Sequence, residues 1–101
     1  MSQRTLVTEL NGIETTVLMG WDRPLQYHFM VISQGENEPL YTNLDDADSL
    51  DADLEYFIER ANQFGISIPM EMVARLTTDR DINTGNAVSY FNQDGNESMP
   101  G

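Results

Sequence analysis

The chain contains no lysine, and its 101 residues include only five arginines against 17 aspartates and glutamates. The formal net charge is therefore -12 at pH 7. Without lysine the chain cannot form a Schiff base or a lysine-containing phosphate loop, and with so few cations it cannot neutralise the phosphates of DNA or RNA. We expect no direct binding to nucleic acid, and we expect partners that are attracted by negative charge.

Cysteine is also absent, which excludes disulfides, thiolate nucleophiles and thiolate metal sites. This composition fits a reducing compartment. No apolar run approaches the roughly 18 residues that a membrane span requires, so the sequence predicts a cytoplasmic protein that does not enter a membrane. Glycine-rich phosphate-binding loops are missing as well, and no cofactor is expected.

Residues that could carry chemistry are few. His28 is the only histidine, and it has no second histidine or cysteine for a transition-metal site and no triad signature around it, so we expect a structural role. Residues 45–53 suggest a calcium loop, but with Asp46 as the first ligand Leu50 falls at the fifth position and Phe57 at the twelfth. We predict no enzyme, no catalytic residues and no specific metal site, and we interpret this loop as a solvated helix cap.

The first half of the chain has the pattern of strands. Two β-rich runs, residues 5–10 and 13–19, flank Asn11 and Gly12, a pair that is typical of a tight hairpin. Residues 26–32 are apolar enough on both faces to predict a central strand, and residues 39–44 predict a short fourth strand. Short turns between these strands favour an antiparallel meander.

The second half changes to a helical period. Residues 51–64 carry an apolar stripe at the i, i+3, i+4, i+7 spacing, formed by Leu54, Phe57, Ile58, Ala61 and Phe64. A second helix is predicted from Pro69 to about Asp79, with Met70, Val73 and Leu76 facing inward. A last strand, residues 87–91, must return to the sheet to bury its apolar side chains.

These elements predict one α+β domain over residues 1–91. Its antiparallel sheet has about five strands, in the sequence order β-β-β-β-α-α-β, and two helices pack on one face. The final residues 92–101 are polar and contain two glycines and a proline, which predicts a flexible tail.

Two segments resemble a group of small uncharacterised bacterial proteins, many of them encoded in mobile or accessory regions of proteobacterial genomes. The segments are the G-W-D-R-P-L-Q turn at residues 20–26 and P-L-Y-T-N-L-D-D at residues 39–46. The similarity continues to the break at Gly85 and Asn86, so it covers most of the chain. The resemblance implies a stable single domain and brings no known activity.

Nine of the 17 acidic residues lie between Glu36 and Glu59, a stretch without a basic residue. We therefore predict a small non-enzymatic protein-interaction domain that binds a protein partner through an acidic face. The residues assigned to this face are Asp45, Asp46, Asp48, Asp51, Asp53, Glu55 and Glu59. One alternative is an inhibitor that imitates nucleic acid and occupies the groove of a basic DNA- or RNA-binding protein, and another is that the charge serves only solubility.

Two further alternatives involve other parts of the chain. Trp21, Arg23 and Tyr41 have the residue types that anchor interfaces, although the same pattern fits a tryptophan at one end of the core. A homodimer is the other alternative, because residues 27–32 and 87–91 would leave strand edges open if no further strand covered them.

Overall fold

The computed structural model describes residues 1–35, 38–50 and 52–100. Its elements, in chain order, are β1 (Ser2–Leu10), β2 (Ile13–Asp22), β3 (Tyr27–Ser33), β4 (Tyr41–Thr42), α1 (Leu54–Gln63), α2 (Met70–Asp81), β5 (Ala87–Phe91) and β6 (Glu97–Ser98). The strands form one sheet in the order β4-β3-β2-β1-β5-β6. The predicted α+β class is confirmed, with six strands where about five were expected.

Local sequence explains the first two connections. Asn11 and Gly12 adopt positive φ angles of 55° and 80°, which is the conformation that a two-residue hairpin turn between β1 and β2 requires. Between β2 and β3 the backbone N–H of Gln26 donates to the carbonyl of Asp22 at 2.7 Å. These hairpins align three antiparallel strands, all of which precede the helices along the chain.

The last long strand enters the sheet beside the first. β5 pairs in parallel with β1, and the described strand pairs are otherwise antiparallel. A parallel neighbour cannot be reached by a tight turn, and here the connection contains both helices. The meander was therefore predicted correctly, whereas the parallel pairing lies beyond what a strand pattern specifies.

The two edge strands are short. β4 pairs only at Tyr41 and Thr42, because the chain turns into 3-10 helices at Asn43–Asp45 and Ala47–Ser49. After β5, Gly95 at a φ of 84° turns the chain back, and β6 pairs with β5. The expectation of a polar tail after residue 91 did not anticipate this hairpin, whose pattern of two paired residues is too short to recognise in a sequence.

Helix α1 begins at Leu54, later than the predicted start at residue 51, and ends at Gln63, one residue before the predicted end. Asp53 caps it by accepting a hydrogen bond from the backbone N–H of Tyr56 at 3.0 Å, and Gly65 follows its end with a φ of 87°. Within the predicted stripe, Leu54, Phe57 and Ala61 are buried, and Ile58 and Phe64 are half-buried against them. Asp51, the predicted first residue, lies outside the described residues.

Helix α2 has a different buried face from the predicted one. Met72 and Leu76 are fully buried and Val73 is half-buried, but Met70 is 83% exposed. The inward position of Met70 was therefore a wrong prediction. Residues two apart on a helix point to nearly opposite sides, so burial of Met72 turns Met70 to solvent.

Both helices cover the same face of the sheet, with α1 against β3 and α2 against β1 and β2. The core forms between them, from Leu6, Val17, Met19, Met30, Ile32 and Phe91 of the sheet and from Leu54, Phe57, Ala61, Met72 and Leu76 of the helices. Within the described residues, no element covers the opposite face of the sheet.

Candidate interaction surface

The acidic segment is held in a defined shape by its own side chains. Its 3-10 turns begin at Thr42 and Asp46, whose side chains accept hydrogen bonds from the backbone N–H groups of Leu44 and Asp48. Asp53 then caps α1. Short polar side chains at these positions satisfy the free N–H groups at the start of each turn. The interpretation of this loop as a helix cap is supported at Asp53.

Asp46 is the centre of a buried network. Its Oδ2 atom accepts hydrogen bonds of 2.7 Å from the hydroxyls of both Tyr41 and Tyr56, and Arg60 approaches the same atom at 3.4 Å. The two hydroxyl donors, first that of Tyr41, hold the pKa of Asp46 below its usual value. Because its side chain is only 10% exposed, Asp46 fastens the acidic loop to β4 and α1 and offers little to a partner.

Arg60 completes this network from α1. Its guanidinium lies 5.8 Å from the ring centre of Tyr41 and 5.6 Å from that of Tyr56, which is within the range of cation–π attraction. Burial, and then the bond to Asp46, raises the pKa of Tyr41. Both hydroxyls are thus protonated donors at neutral pH. The sequence analysis did not find Arg60 as a member of the site.

The remaining described acids of the predicted face point to solvent. Asp45, Asp48, Asp53, Glu55 and Glu59 are all exposed. Glu55 and Glu59 lie one turn apart on α1, so they share one side of the helix. Asp51 lies outside the described residues. Beside these acids is an open cleft of about 570 Å³, lined by Glu38, Pro39, Leu40, Tyr41, Thr42, Asp45, Asp46 and Arg60.

Two leucines of the acidic loop are exposed. Leu44 is 83% and Leu50 is 79% accessible, although both belong to a residue type that is usually buried. A short 3-10 loop has no apolar face to turn inward, so its leucines remain at the surface. Nothing in their spacing distinguishes them from core residues, and the sequence analysis did not identify them.

The arginines do little to reduce the surface charge. Four of the five form ion pairs within the protein: Arg4 with Asp79, Arg60 with Asp46, Arg75 with Glu97 and Arg80 with Asp81. Arg23 is exposed in the turn between β2 and β3. Within the described residues, the exposed acids of the loop and of α1 form no ion pair with any of these arginines.

Trp21 belongs to the core boundary. Its side chain is 6% exposed, its Nε1–H donates to the Oδ1 of Asn83 at 2.8 Å, and its ring meets His28 edge-on at 5.0 Å. Trp21 lies opposite His28 on β3, whereas Tyr41 lies opposite Ile32. Four residues of strand, about 13 Å, separate these positions, and the burial of Trp21 leaves it little surface for a partner. The alternative reading, a tryptophan at one end of the core, agrees with this burial.

His28 is buried in the same region. Its Nε2 is 3.0 Å from the carbonyl oxygen of Leu76, and burial lowers its pKa. A neutral ring that donates Nε2–H to the carbonyl satisfies both groups. Within residues 1–35, 38–50 and 52–100, no group of three or more histidine, cysteine or acidic side chains could hold a metal ion. That part of the chain also contains no helix long and apolar enough to cross a membrane.

The chain matches no protein-family model, and neither a curated protein nor a solved structure shows significant similarity to it. The resemblance to bacterial mobile-element proteins therefore stays a prediction, as do the absence of catalysis and of a cofactor. Function has to be argued from the geometry of the surface.

Proposed function

We propose that this protein is a small protein-interaction domain that binds a basic protein partner through the acidic surface formed by Asp45, Asp48, Asp53, Glu55 and Glu59. The observation that carries the proposal is the internal pairing of four of the five arginines, which leaves these exposed carboxylates almost uncompensated. Uncompensated charge produces a long-range field that accelerates association with a partner of opposite charge.

Contact residues are available beside the charges. Leu44 and Leu50 project from the same loop, and apolar side chains inside a polar rim are the usual composition of an interface. The Asp46 network fixes the loop on α1, so the partner meets a surface that loses little conformational entropy on binding. We place this function in the cytoplasm, a reducing compartment in which a chain without cysteine is at no disadvantage.

Imitation of nucleic acid is a special case of this function. Carboxylates held on a helix and on two 3-10 turns could occupy the groove of a DNA- or RNA-binding protein, which would make the domain an inhibitor encoded by a mobile element. The partner would then be unable to hold this domain and a duplex together. A domain that binds elsewhere on a basic protein would leave duplex binding unchanged.

The experiment measures binding to an arginine-rich DNA-binding domain by surface plasmon resonance at two salt concentrations. The test variant combines Asp48→Asn, Glu55→Gln and Glu59→Gln. A matched control combines Asp94→Asn, Glu9→Gln and Glu14→Gln, which changes the same charges at exposed positions elsewhere. We expect the association rate of the test variant to fall by about tenfold, and by much less in the control, because steering depends on local charge.

Rising salt should weaken the wild-type complex. Equal losses in the two triple variants would show that only net charge matters and would refute the acidic surface as the site. A short DNA duplex added as competitor separates the two forms of the proposal. Displacement by the duplex supports imitation of nucleic acid, and simultaneous binding excludes it.

A further inference from the structure

We infer that the uncovered face of the sheet is a self-association surface, on which a second copy of this chain packs face to face. The face carries one uncharged side chain from every strand in a single cross-strand row. The row is formed by Thr42, Val31, Leu18, Thr5, Tyr90 and Ser98. The chain has a net charge of -12, but this row carries no charged side chain, unlike the acidic surface described above.

The neighbouring positions extend this uncharged area. Val7 and Val88 are each 39% exposed and Tyr90 is 41% exposed. Phe29 packs against Gly20 of the adjacent strand, since a Cβ on Gly20 would stand 2.8 Å from the tip of its ring, and Phe29 is itself only 8% exposed. The result is an uncharged centre of aliphatic, aromatic and threonine side chains. Acids occur on this face only toward its ends, at Glu9 and Glu14 and at Asp22.

The distribution of charge indicates which partner packs on this face of the sheet. A basic partner is drawn to the acidic loop and α1, and the sheet face offers it no carboxylate at the centre. The acidic loop and α1 of a second copy would instead place carboxylates against this uncharged centre, and removing them from water without a partner costs free energy. The same face of a second copy brings none to the centre, so a two-fold pairing is self-complementary.

The available area suits a weak dimer. Neighbouring strands lie about 4.8 Å apart and each residue lengthens a strand by about 3.3 Å, so each strand residue covers about 16 Å² of the face. The six strands contain 9, 10, 7, 2, 5 and 2 residues. The face is therefore at most about 550 Å² per copy, below the roughly 800 Å² that each partner contributes to a standard interface. A dissociation constant in the micromolar range is expected for a contact of this size.

The strand edges offer only short stretches for a competing route. β4 pairs with β3 only at Val31 and Ile32, and β6 pairs with β5 only at Tyr90 and Phe91. The expectation that residues 27–32 and 87–91 leave open edges for a homodimer is wrong at these four residues, whereas residues 27–30 and 87–89 have no further strand beside them within the described part of the chain. Edge strands of two residues are poor templates for strand addition, and the face remains.

Sedimentation velocity of the full chain, from micromolar to several hundred micromolar, tests the inference. We expect a monomer–dimer equilibrium that shifts toward the dimer as NaCl rises, because salt screens the repulsion between two acidic copies. Binding to a basic partner should respond to salt in the opposite direction, so failure of one proposal leaves the other intact. A wild type that stays monomeric throughout, or a dimer that salt dissociates, would overturn the inference.

Lysine substitutions locate the contact. Val7→Lys and Val88→Lys place a charge on the face, and Ile82→Lys and Met70→Lys are controls at exposed apolar positions on α2 and its end. All four make the net charge less negative, so a dimer limited only by repulsion would strengthen in each. We expect at least tenfold weaker dimerisation in the two face variants and none of this loss in the controls.

Circular dichroism checks that each variant is folded. Val88 lies on β5, away from the centre of the sheet, so Val88→Lys still decides the question if Val7→Lys destabilises β1. Unchanged dimerisation of a folded face variant would refute the assigned surface.

Discussion

At the scale of single residues, two titratable groups are each held in one protonation state by their surroundings. Burial of the His28 ring favours its neutral form and lowers its pKa, and this outweighs the hydrogen bond to the carbonyl of Leu76, which acts in the opposite direction. Asp46 accepts two tyrosine hydroxyls, which favour the carboxylate and lower its pKa. Lowering the pH favours protonation of both groups, but in separate ranges of pH, because the ordinary pKa values of histidine and aspartate are far apart.

His28 makes folding stability depend on pH near neutrality. Its pKa is below 6.5 in the folded state and near 6.5 in the unfolded chain, so the unfolded state binds the proton first. The free energy of unfolding should therefore be highest above pH 6.5 and fall as the pH drops through that value toward the folded-state pKa. Urea denaturation at several pH values between 7.5 and 5.5 measures this slope.

His28→Gln is the matched variant, because its amide can still donate to Leu76 but does not titrate. It should remove the slope near pH 6.5 and leave the steeper loss below pH 4.5, where carboxylates protonate. An equal slope in wild type and variant would show that the pKa of His28 is the same in the folded and the unfolded state.

At the scale of elements, the attachment of α2 to the sheet depends on one buried ion pair. The Nε and NH2 groups of Arg4 on β1 donate to the two carboxylate oxygens of Asp79 at 3.0 and 2.9 Å, and Ser2 donates to the same carboxylate. Arg4 also reaches Ser89 on β5. Three elements are thus joined by a pair whose side chains are 6% and 2% exposed.

Asp79→Asn should lower the free energy of unfolding by about 3 to 5 kcal/mol, because it removes the carboxylate that accepts two hydrogen bonds from the buried Arg4 and leaves only the longer contact of 3.8 Å with Glu97. The control is Asp81→Asn, two residues along the same helix, where the carboxylate is exposed and pairs only with Arg80. An exposed pair contributes about 0 to 1 kcal/mol. Guanidinium denaturation of both variants compares the two losses, and similar losses would mean that the buried pair is dispensable.

The elements that could be predicted are those specified by local sequence. Asn11 and Gly12 determine the first hairpin, and the stripe from Leu54 to Phe64 determines α1. The parallel pairing of β1 with β5 could not be predicted, because it depends on how two helices cross the sheet. Met70 was misplaced because helical spacing gives a period but not which residue of the first turn faces the core.

Prediction of the surface was limited for a related reason. Asp45, Asp46 and Asp48 look alike in the sequence, and only tertiary contacts with Tyr41 and Tyr56 separate the buried Asp46 from its exposed neighbours. Trp21, a candidate interface anchor, is buried, whereas Leu44 and Leu50, which belong to a residue type that is usually buried, are exposed. Residue type alone does not decide such cases.

At the scale of the whole molecule, self-repulsion opposes the compact state. The net charge is -12, and four arginines are paired within the protein. Within the described residues, most exposed carboxylates therefore form no ion pair, and the charges that surround them at longer range are mostly negative. Screening by salt reduces this repulsion, since the Debye length falls to about 10 Å at 0.1 M ionic strength. The buried pair of Arg4 and Asp79 is hardly screened.

The melting temperature should therefore rise as NaCl increases from a few millimolar to physiological concentration. The gain should be smaller in the triple variant Asp48→Asn, Glu55→Gln, Glu59→Gln, which carries less repulsion. Scanning calorimetry at a protein concentration below the dimerisation range measures both values. A melting temperature that falls with salt would mean that exposed ion pairs, such as Arg80 with Asp81, outweigh the repulsion.

The parallel pairing of β1 with β5 also constrains the order in which the molecule can fold. Ser2 pairs with Ala87 and Leu6 with Phe91, so the centre of the sheet closes a loop that contains nearly the whole chain. Such long-range contacts form slowly. When only the first hairpin has left the ribosome, Asp79, the partner of Arg4, has not yet been synthesised. The side of β1 that pairs with β5 therefore stays open until residues 87–91 have been synthesised.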